Sequence, residues 1–215
     1  MIKQEVRSVL RNVLPRVDRV NAYHDRILDA CIEKALAQMY DDVWKASPLN
    51  LQRYCKEYGY TTPIPVSVET TTGMYYSDLP ESILPFQDKA SGVRRISIPI
   101  QGALSFIPMD PREMDLVASG SYFSVVTSKV GYVVRPTRVE YYNIPVDIIA
   151  SGVRMDLIIP FSKYDEGDIV LIPEVSDLRT NETFVDRCLK ILRIITPPDS
   201  KDDNSGVQYR TVNKD

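Results

Sequence analysis

Proline constrains the possible folds of this chain more than any other residue type. The sequence has 15 prolines among 215 residues, and many of them fall among β-forming residues. Proline has no backbone N–H and cannot complete a sheet ladder, so it occupies strand starts, sheet edges and turns. The sequence therefore predicts many short strands rather than a parallel α/β sheet. The prolines behind this prediction are Pro63, Pro65, Pro80, Pro85, Pro99, Pro108, Pro136, Pro145, Pro160 and Pro173.

Residues 1–59 are predicted to be a helical region. A first helix over residues 2–14 is expected to stop at Pro15, and a second extends from its N-cap Asn21 to Ala46. A third helix is expected from residue 47 to about residue 59. The second helix carries one wide apolar stripe with steps of three and four residues. Its members are Leu28, Ile32, Leu36, Met39, Tyr40 and Val43, flanked by Ile27, Cys31, Ala35 and Trp44.

Residues 60–175 are predicted to be an antiparallel β region, because short aromatic and β-branched segments alternate there with turn residues. No helical crossover long enough for a βαβ unit separates these segments, which favours a sandwich or a partly open barrel. One helical turn is expected at Asp110-Pro111. The predicted strands are residues 65–70, 73–77, 93–100, 104–107, 122–128, 131–135, 138–142, 146–150, 154–159 and 168–172.

The C-terminal part, residues 176–196, is predicted to contain a helix that packs on the body, with Thr180 or Asn181 as its cap. Residues 197–215 are polar, which predicts a tail that is flexible or docks on a partner. The predicted fold class is therefore α+β: an N-terminal helical bundle, a largely antiparallel sandwich or barrel body, and a C-terminal helix with a flexible tail.

Composition narrows the classes of function. The formal net charge of −3 and the pI near 5.3 argue against a protein that binds nucleic acid by neutralising phosphates. No run of 18 apolar residues occurs, so no transmembrane helix is predicted. The first residues lack the apolar core of a signal peptide. Three widely spaced cysteines predict neither a disulfide framework nor a zinc site, and we expect synthesis in the cytoplasm.

The stretch YDEGDIVLIPE, residues 164–174, has the acidic cluster that most suggests a catalytic or metal-binding site. Asp165, Glu166 and Asp168 surround Gly167, and a metal-assisted hydrolase built on these carboxylates is one hypothesis. The spacing does not match a calcium loop of the EF-hand type. The favoured interpretation is a turn in which Gly167 takes the left-handed conformation and a strand follows.

Other catalytic signatures are weak. His24 is the single histidine, and neither a GxSxG elbow nor a second histidine accompanies it, so we interpret it as an exposed or capping residue. No GxxxxGK[ST] or GxGxxG motif occurs. We therefore predict no catalytic, cofactor-binding or metal-binding residues.

Arginine and tyrosine occur together in YVVRPTRVEYY, residues 132–142. Such residues can stack on single-stranded nucleic acid, but they are also enriched at protein interfaces, and the acidic pI favours the interface. The residues predicted to form this interface are Arg135, Arg138, Tyr141 and Tyr142, with Tyr209 and Arg210 in the tail.

The chain resembles the head-to-tail adaptor, or neck ring, proteins of tailed bacteriophages, of the short-tailed and crAss-like type. The resemblance lies in element order and covers most of the chain. The helical DRILDACIEKALAQMYDDVW is followed by MYYSDLPESILPFQDKASGVRRISI, by YVVRPTRVEYYNIP and by VRMDLIIP. The acidic DEGDIVLIPE then precedes the closing helix ETFVDRCLKILRI and a loose C-terminus.

The resemblance implies a non-enzymatic virion protein of the phage neck, without cofactors. It implies a homo-oligomeric ring, expected to be a dodecamer, that joins the portal protein to downstream tail or ring proteins. DNA would pass through the lumen without sequence-specific binding, and no membrane would be involved. A head-to-tail ring is a heterologous interface that closes by rotation. The alternative hypothesis is a β-rich protein- or glycan-binding module with a helical appendage.

Overall fold

The computed structural model describes residues 1–17, 24–100, 103, 105–113, 129–179 and 182–195. Within them the fold is mixed α+β, which confirms the predicted class. The α-helices are α1 (Lys3–Val17), α2 (Asp25–Ala46), α3 (Val146–Ser151) and α4 (Phe184–Ile195), and short 3-10 helices span Asn50–Tyr54, Phe161–Lys163 and Val175–Asp177. The strands are β1 (Lys56–Tyr58), β2 (Ser67–Val68), β3 (Tyr75–Asp78), β4 (Val93–Ser97), β5 (Ile107–Pro108), β6 (Gly131–Val134), β7 (Arg138–Tyr142) and β8 (Arg154–Leu157).

The strands form two open sheets. The order in the three-stranded sheet is β1-β8-β4, and both of its pairs are antiparallel. The order in the five-stranded sheet is β2-β3-β7-β6-β5. Its first three pairs are antiparallel, whereas β5 lies parallel to β6 over two residues. The described strands form two largely antiparallel sheets and no closed barrel, so the barrel alternative is not observed in the described residues.

The helix α2 supplies the centre of the core. The six predicted stripe residues are buried, because a stripe with steps of three and four follows one side of an α-helix. Ile27, predicted beside the stripe, is partly exposed instead. Residues of α1, of both sheets and of α4 belong to the same continuous hydrophobic cluster as α2.

Two ion pairs and one apolar stripe fix α1 against α2. Arg7 donates from Nε and Nη2 to the two carboxylate oxygens of Asp29 at 2.6 and 2.8 Å. Arg11 pairs with Asp25, one turn later in α1 and one turn earlier in α2. The apolar side of α1, Val6, Leu10 and Leu14, recurs every four residues and is buried. Asp25 and Asp29, on the polar side of α2, therefore join the two helices.

The closing helix α4 packs on α2 through Cys188, whose carbonyl oxygen accepts from the Cys31 thiol at 3.2 Å. Arg187, which is buried, forms an ion pair with Asp42 of α2. The helix begins with a capping box in which Thr183 and Asp186 bond to each other's backbone N–H at 3.2 and 3.1 Å. The described cap is thus Thr183, whereas Thr180 and Asn181 lie outside the described residues.

Two glycines allow the chain to approach itself at one β-bridge. Ile64 and Val153 exchange backbone hydrogen bonds at 2.8 and 2.9 Å. Gly59 and Gly152 have φ of 80° and 75°, a conformation that favours glycine. A Cβ at Gly59 would lie 2.6 Å from the Val153 oxygen, and one at Gly152 would lie 2.7 Å from the Ile64 oxygen.

Three predicted helix boundaries are wrong. The second helix begins at Asp25 with His24 as its N-cap, and the predicted cap Asn21 lies outside the described residues. The first helix does not stop at Pro15 but continues to Val17, because the packing of its apolar stripe outweighs one lost backbone hydrogen bond. The expected third helix is only the 3-10 helix Asn50–Tyr54, followed at once by β1. Strand β1 therefore lies inside the predicted helical region, where pairing with β8 prevails over local helix signals.

Two predicted strands are also wrong. Residues 146–150 belong to α3, which begins after Pro145 and ends before Gly152. Pro145 and Gly152 are helix-boundary signals, but the apolar pattern between them favoured a strand. In place of a strand over residues 168–172 there is a single bridge between Ile169 and Ile2. The predicted strand 122–128 and the tail 197–215 lie outside the described residues.

If α2 is the centre of the core, Leu36→Ala should lower the free energy of unfolding by about 2–5 kcal/mol, because Leu36 is fully enclosed and the substitution leaves a cavity. Ile27→Ala on the same helix is the matched control and should cost less than about 1 kcal/mol. Urea unfolding followed by circular dichroism measures both. Equal effects would show that this stripe is not the centre of the core.

Candidate functional site

The acidic turn, Asp165–Asp168, is held by cations from two other elements. Lys56 of β1 bonds through Nζ to Asp168 at 2.5 Å, and Arg7 of α1 bonds through Nη1 to Glu166 at 2.7 Å. The ammonium of Lys56 also lies over the rings of Tyr58 and Tyr164, 5.5 and 5.4 Å from their centroids. The hydrogen bond from Lys56 lowers the pKa of Asp168 below its ordinary value. Both carboxylates therefore connect parts of the fold.

The turn itself closes through Asp168. Its carboxylate accepts from the Asp165 N–H at 2.9 Å, and its own N–H donates to the Asp165 carbonyl at 3.0 Å. The turn interpretation agrees with this geometry, but the predicted role of Gly167 is wrong. The described glycines with positive φ are Gly59, Gly73 and Gly152, so this turn is completed without a left-handed residue at position 167.

The start of the chain lies along the segment that follows the acidic turn. Lys3 N–H donates to the Asp168 carbonyl at 3.0 Å, and Val170 N–H donates to the Met1 carbonyl at 2.8 Å. The Lys3 side chain, 7% exposed, donates to the carbonyls of Tyr164 and Ser162. Residues 1–3 and residues 168–170 therefore connect α1 to the chain before α4.

The outer side of the five-stranded sheet carries the second group of charges. Because side chains alternate along a strand, Arg138, Glu140 and Tyr142 of β7 share the side opposite to Val139 and Tyr141. Glu140 is 6% exposed and accepts from Arg135 Nε at 2.9 Å and from Arg138 Nε and Nη2 at 3.0 and 2.8 Å. We call Tyr76, Arg135, Arg138, Glu140 and Tyr142 the Arg–Tyr face.

Electrostatics explain why a buried carboxylate is stable at the Arg–Tyr face. Burial raises the pKa of Glu140, but the hydrogen bonds from Arg135 and Arg138 outweigh it and leave the pKa below its ordinary value. Arg138 also reaches Glu69 at 3.4 Å and lies 5.0 Å from the centre of the Tyr76 ring. Arg135 is different, since Glu140 is its only side-chain partner in the described parts and its side chain is about half exposed.

A small apolar cluster adjoins these charges. Met109 and Val133 are buried there, and Met74 and Tyr142 pack against them. Met109 lies over Gly131, where a Cβ would be only 2.1 Å from the Met109 sulfur. A glycine at this position of β6 thus makes room for a flexible methionine on the outer side of the sheet.

The predicted interface residues divide into three groups. Arg135, Arg138 and Tyr142 lie together on the Arg–Tyr face. Tyr141 is corrected, because its ring points to the other side of β7 and is 2% exposed within the core, in edge-to-face contact with Phe106. Tyr209 and Arg210 lie outside the described residues.

Sequence reasoning missed Glu140 and Tyr76. The signal for Glu140 was available, since it follows Arg138 by two residues in a predicted strand and so shares its side. The position of Tyr76 depends on the pairing of β3 with β7, which no local pattern specifies.

The single histidine is a helix cap. His24 precedes α2, and its Nδ1 accepts from the Arg26 N–H at 3.3 Å. Within the described parts of the chain, no three His, Cys, Asp or Glu residues are grouped so that they could hold a metal ion. None of the helices described there is both long and apolar enough to cross a membrane.

Comparison with models of known protein families finds no match, and comparison with curated proteins finds none either.

Asp168→Asn should lower the free energy of unfolding by about 1 kcal/mol, because Lys56 loses its charged partner at a partly exposed position. Asp165→Asn is the matched control in the same turn, and it should have an effect below about 0.5 kcal/mol. Isothermal titration with Ca²⁺, Mg²⁺ and Mn²⁺ should give no binding to the wild type or to either variant. Metal binding that Asp168→Asn removes would favour the hydrolase hypothesis instead.

Glu140→Gln should lower the free energy of unfolding by about 1–3 kcal/mol at neutral pH, because two guanidinium groups lose their shared carboxylate. The pKa of Glu140 is lower in the folded state, so its contribution is fully present above the unfolded value, near 4.3, and is lost as the pH falls through the folded value. The difference between wild type and variant should therefore shrink in acid. Urea unfolding across this range measures it, with the exposed Glu57→Gln as control. A difference that stays constant with pH would contradict the assignment.

Proposed function

We propose that this chain is a structural virion protein of a tailed bacteriophage, forming a homo-oligomeric ring in the neck that joins the portal to the tail and lets DNA pass. In this proposal α1 and α2 belong to a bundle-like part, the two sheets form a sandwich-like body, and α4 closes the chain on α2. The order of these elements supports the resemblance to head-to-tail adaptors.

The Arg–Tyr face is the observation that carries the proposal. Arginine, tyrosine and methionine are enriched at protein interfaces; this face supplies the first two, and Met74 lies in the adjoining apolar cluster. The partly exposed Arg135 keeps its Nη groups available for a neighbouring subunit, while Glu140 fixes the position of its guanidinium. A pre-positioned side chain loses little conformational entropy when a partner binds.

The use of charge elsewhere in the molecule agrees with a structural role. Asp168 and Glu166, the carboxylates of the hydrolase hypothesis, are bound to Lys56 and Arg7 and so hold elements together. The net charge of −3 suits a protein that DNA slides past without being retained.

The alternative is a protein- or glycan-binding β module. The observation that favours it is the stack of Arg138 on Tyr76 beside the half-buried Tyr142, because aromatic rings on an outer sheet surface can contact a sugar or a peptide. A glycan array that gives no hit while the protein assembles into rings would set this alternative aside.

Native mass spectrometry and negative-stain microscopy of the purified protein, alone and with the portal protein of the same virus, test the proposal. We expect closed rings that bind the portal, and we expect Arg135→Glu to reduce the assembled fraction at least tenfold, since it reverses the charge of the exposed partner group. Arg26→Glu, at an exposed arginine of α2, is the control and should leave assembly unchanged. A persistent monomer without affinity for the portal would overturn the proposal.

A further inference from the structure

Arg154 differs from the other buried charges of the described residues. Lys3 donates to two carbonyls, Glu140 accepts from two arginines, and Arg187 pairs with Asp42. Arg154 of β8 is 9% exposed and has no carboxylate within ion-pair distance. A largely enclosed guanidinium that forms no ion pair keeps N–H donors for an anionic ligand.

The contacts of Arg154 fix its orientation. Its Nε donates to the Ser97 hydroxyl at 2.7 Å, and its guanidinium lies on the Tyr60 ring, 4.8 Å from the centroid. No side-chain nitrogen of Arg154 is both fully enclosed and without a hydrogen-bond partner. Its two Nη nitrogens therefore lie at the protein surface, with four N–H donors not used by the described residues.

A second arginine lies on the same side of the three-stranded sheet. In the pairing of β4 with β8, Ser97 lies opposite Arg154 and Arg95 lies opposite Asp156. Arg95 is two residues before Ser97 on β4, so its side chain shares the side of Ser97 and Arg154. Its Nη2 donates to the Ala103 carbonyl at 2.9 Å, while its Nε is enclosed without a partner. Like Arg154, it forms no ion pair with a described residue.

The carboxylate of Asp156 lies on the same side of the sheet and acts on both arginines from beyond ion-pair distance. Asp156 lies two residues after Arg154 on β8, yet its Oδ1 accepts from the Tyr60 hydroxyl at 2.9 Å. Burial raises the pKa of Asp156 above its ordinary value, although Tyr60 and both arginines act against the rise. Tyr60 thus contacts both groups, because its hydroxyl donates to the carboxylate and its ring lies on the guanidinium.

We propose that Arg154 and Arg95, with Tyr60 as the wall, form a binding site for a carboxylate. The Nη side of a guanidinium matches the two oxygens of a planar carboxylate in a bidentate hydrogen bond. Asp156 and Glu57 face each other on the same side of the sheet, so a dianion such as phosphate meets more repulsion there than a monoanion. This site lies apart from the Arg–Tyr face and does not rest on the proposed function.

Acetate is the probe for this site. The unfolding midpoint is measured as sodium acetate replaces sodium chloride at constant ionic strength and neutral pH. We expect a saturable rise for the wild type, because a ligand that binds only the folded state stabilises it. Arg154→Gln should weaken the apparent affinity about tenfold, and Arg154→Lys, which keeps the charge without the fork, should also weaken it. Arg26→Gln is the control and should leave the affinity unchanged.

Asp156→Asn separates binding from packing. It preserves an oxygen acceptor for Tyr60 but removes the carboxylate that competes for the arginines, so acetate should bind roughly threefold more tightly. If Arg154 had a purely structural role, Arg154→Gln would have a lower unfolding midpoint than the wild type, but acetate would raise both midpoints equally. The proposal is overturned by a wild type that responds to acetate and chloride alike, by an unchanged acetate response in Arg154→Gln, or by a larger response to inorganic phosphate.

The source of the carboxylate is then distinguished by native mass spectrometry. Loss of assembly in Arg154→Gln, together with competition by acetate in the wild type, assigns the carboxylate to a second copy of this chain. Assembly that persists in the variant assigns the site to a free carboxylate ligand. A wild type that binds acetate but stays monomeric retains the site and contradicts the proposed function alone.

Discussion

Packing on α2 is the interaction on which the rest of the molecule depends. Its buried stripe contacts one continuous core, and its polar residues reach elements distant in sequence. Tyr40 donates to the Leu171 carbonyl at 2.7 Å, Glu33 accepts from the Ser162 N–H at 3.3 Å, and Trp44 donates to Asp88 at 3.2 Å. Because one helix organises helices, loops and sheets together, damage to its stripe affects every surface at once.

Charge in this protein is used mainly inside the fold, and that use defines what remains for partners. Asp168 and Glu166 of the acidic turn pair with Lys56 and Arg7, and Glu140 is shared by two arginines. Exposed pairs of this kind add little stability individually, but the buried ones fix geometry, since removing one partner leaves an uncompensated charge. The groups not used in this pairing, namely Arg154 and the Nη nitrogens of Arg135, are therefore the informative ones for function.

Local patterns in the sequence predicted the elements that depend on local physics. The stripe of α2 follows from a period of 3.6, and the strand over residues 138–142 follows from alternating β-branched, aromatic and charged residues. The failures involve partners distant in the chain. Residues 168–170 pair with the chain start, and β1 is a strand because β8 lies beside it. Neither pairing leaves a signal within ten residues, so periodicity alone favoured the wrong element.

The same distinction applies to the candidate sites. Arg135 and Arg138 were found from composition, because arginine beside tyrosine is visible in any window of the sequence. Arg154 was not found, because its significance is that it forms no ion pair with a described residue, and that depends on the register that places it opposite Ser97. The two sites lie on different sheets and share no charged partner, so changes at one should leave the other intact. In the proposed ring, two separate arginine surfaces would give each subunit the two different contact regions that a heterologous interface needs. Because the sites are independent, each can be tested without disturbing the other.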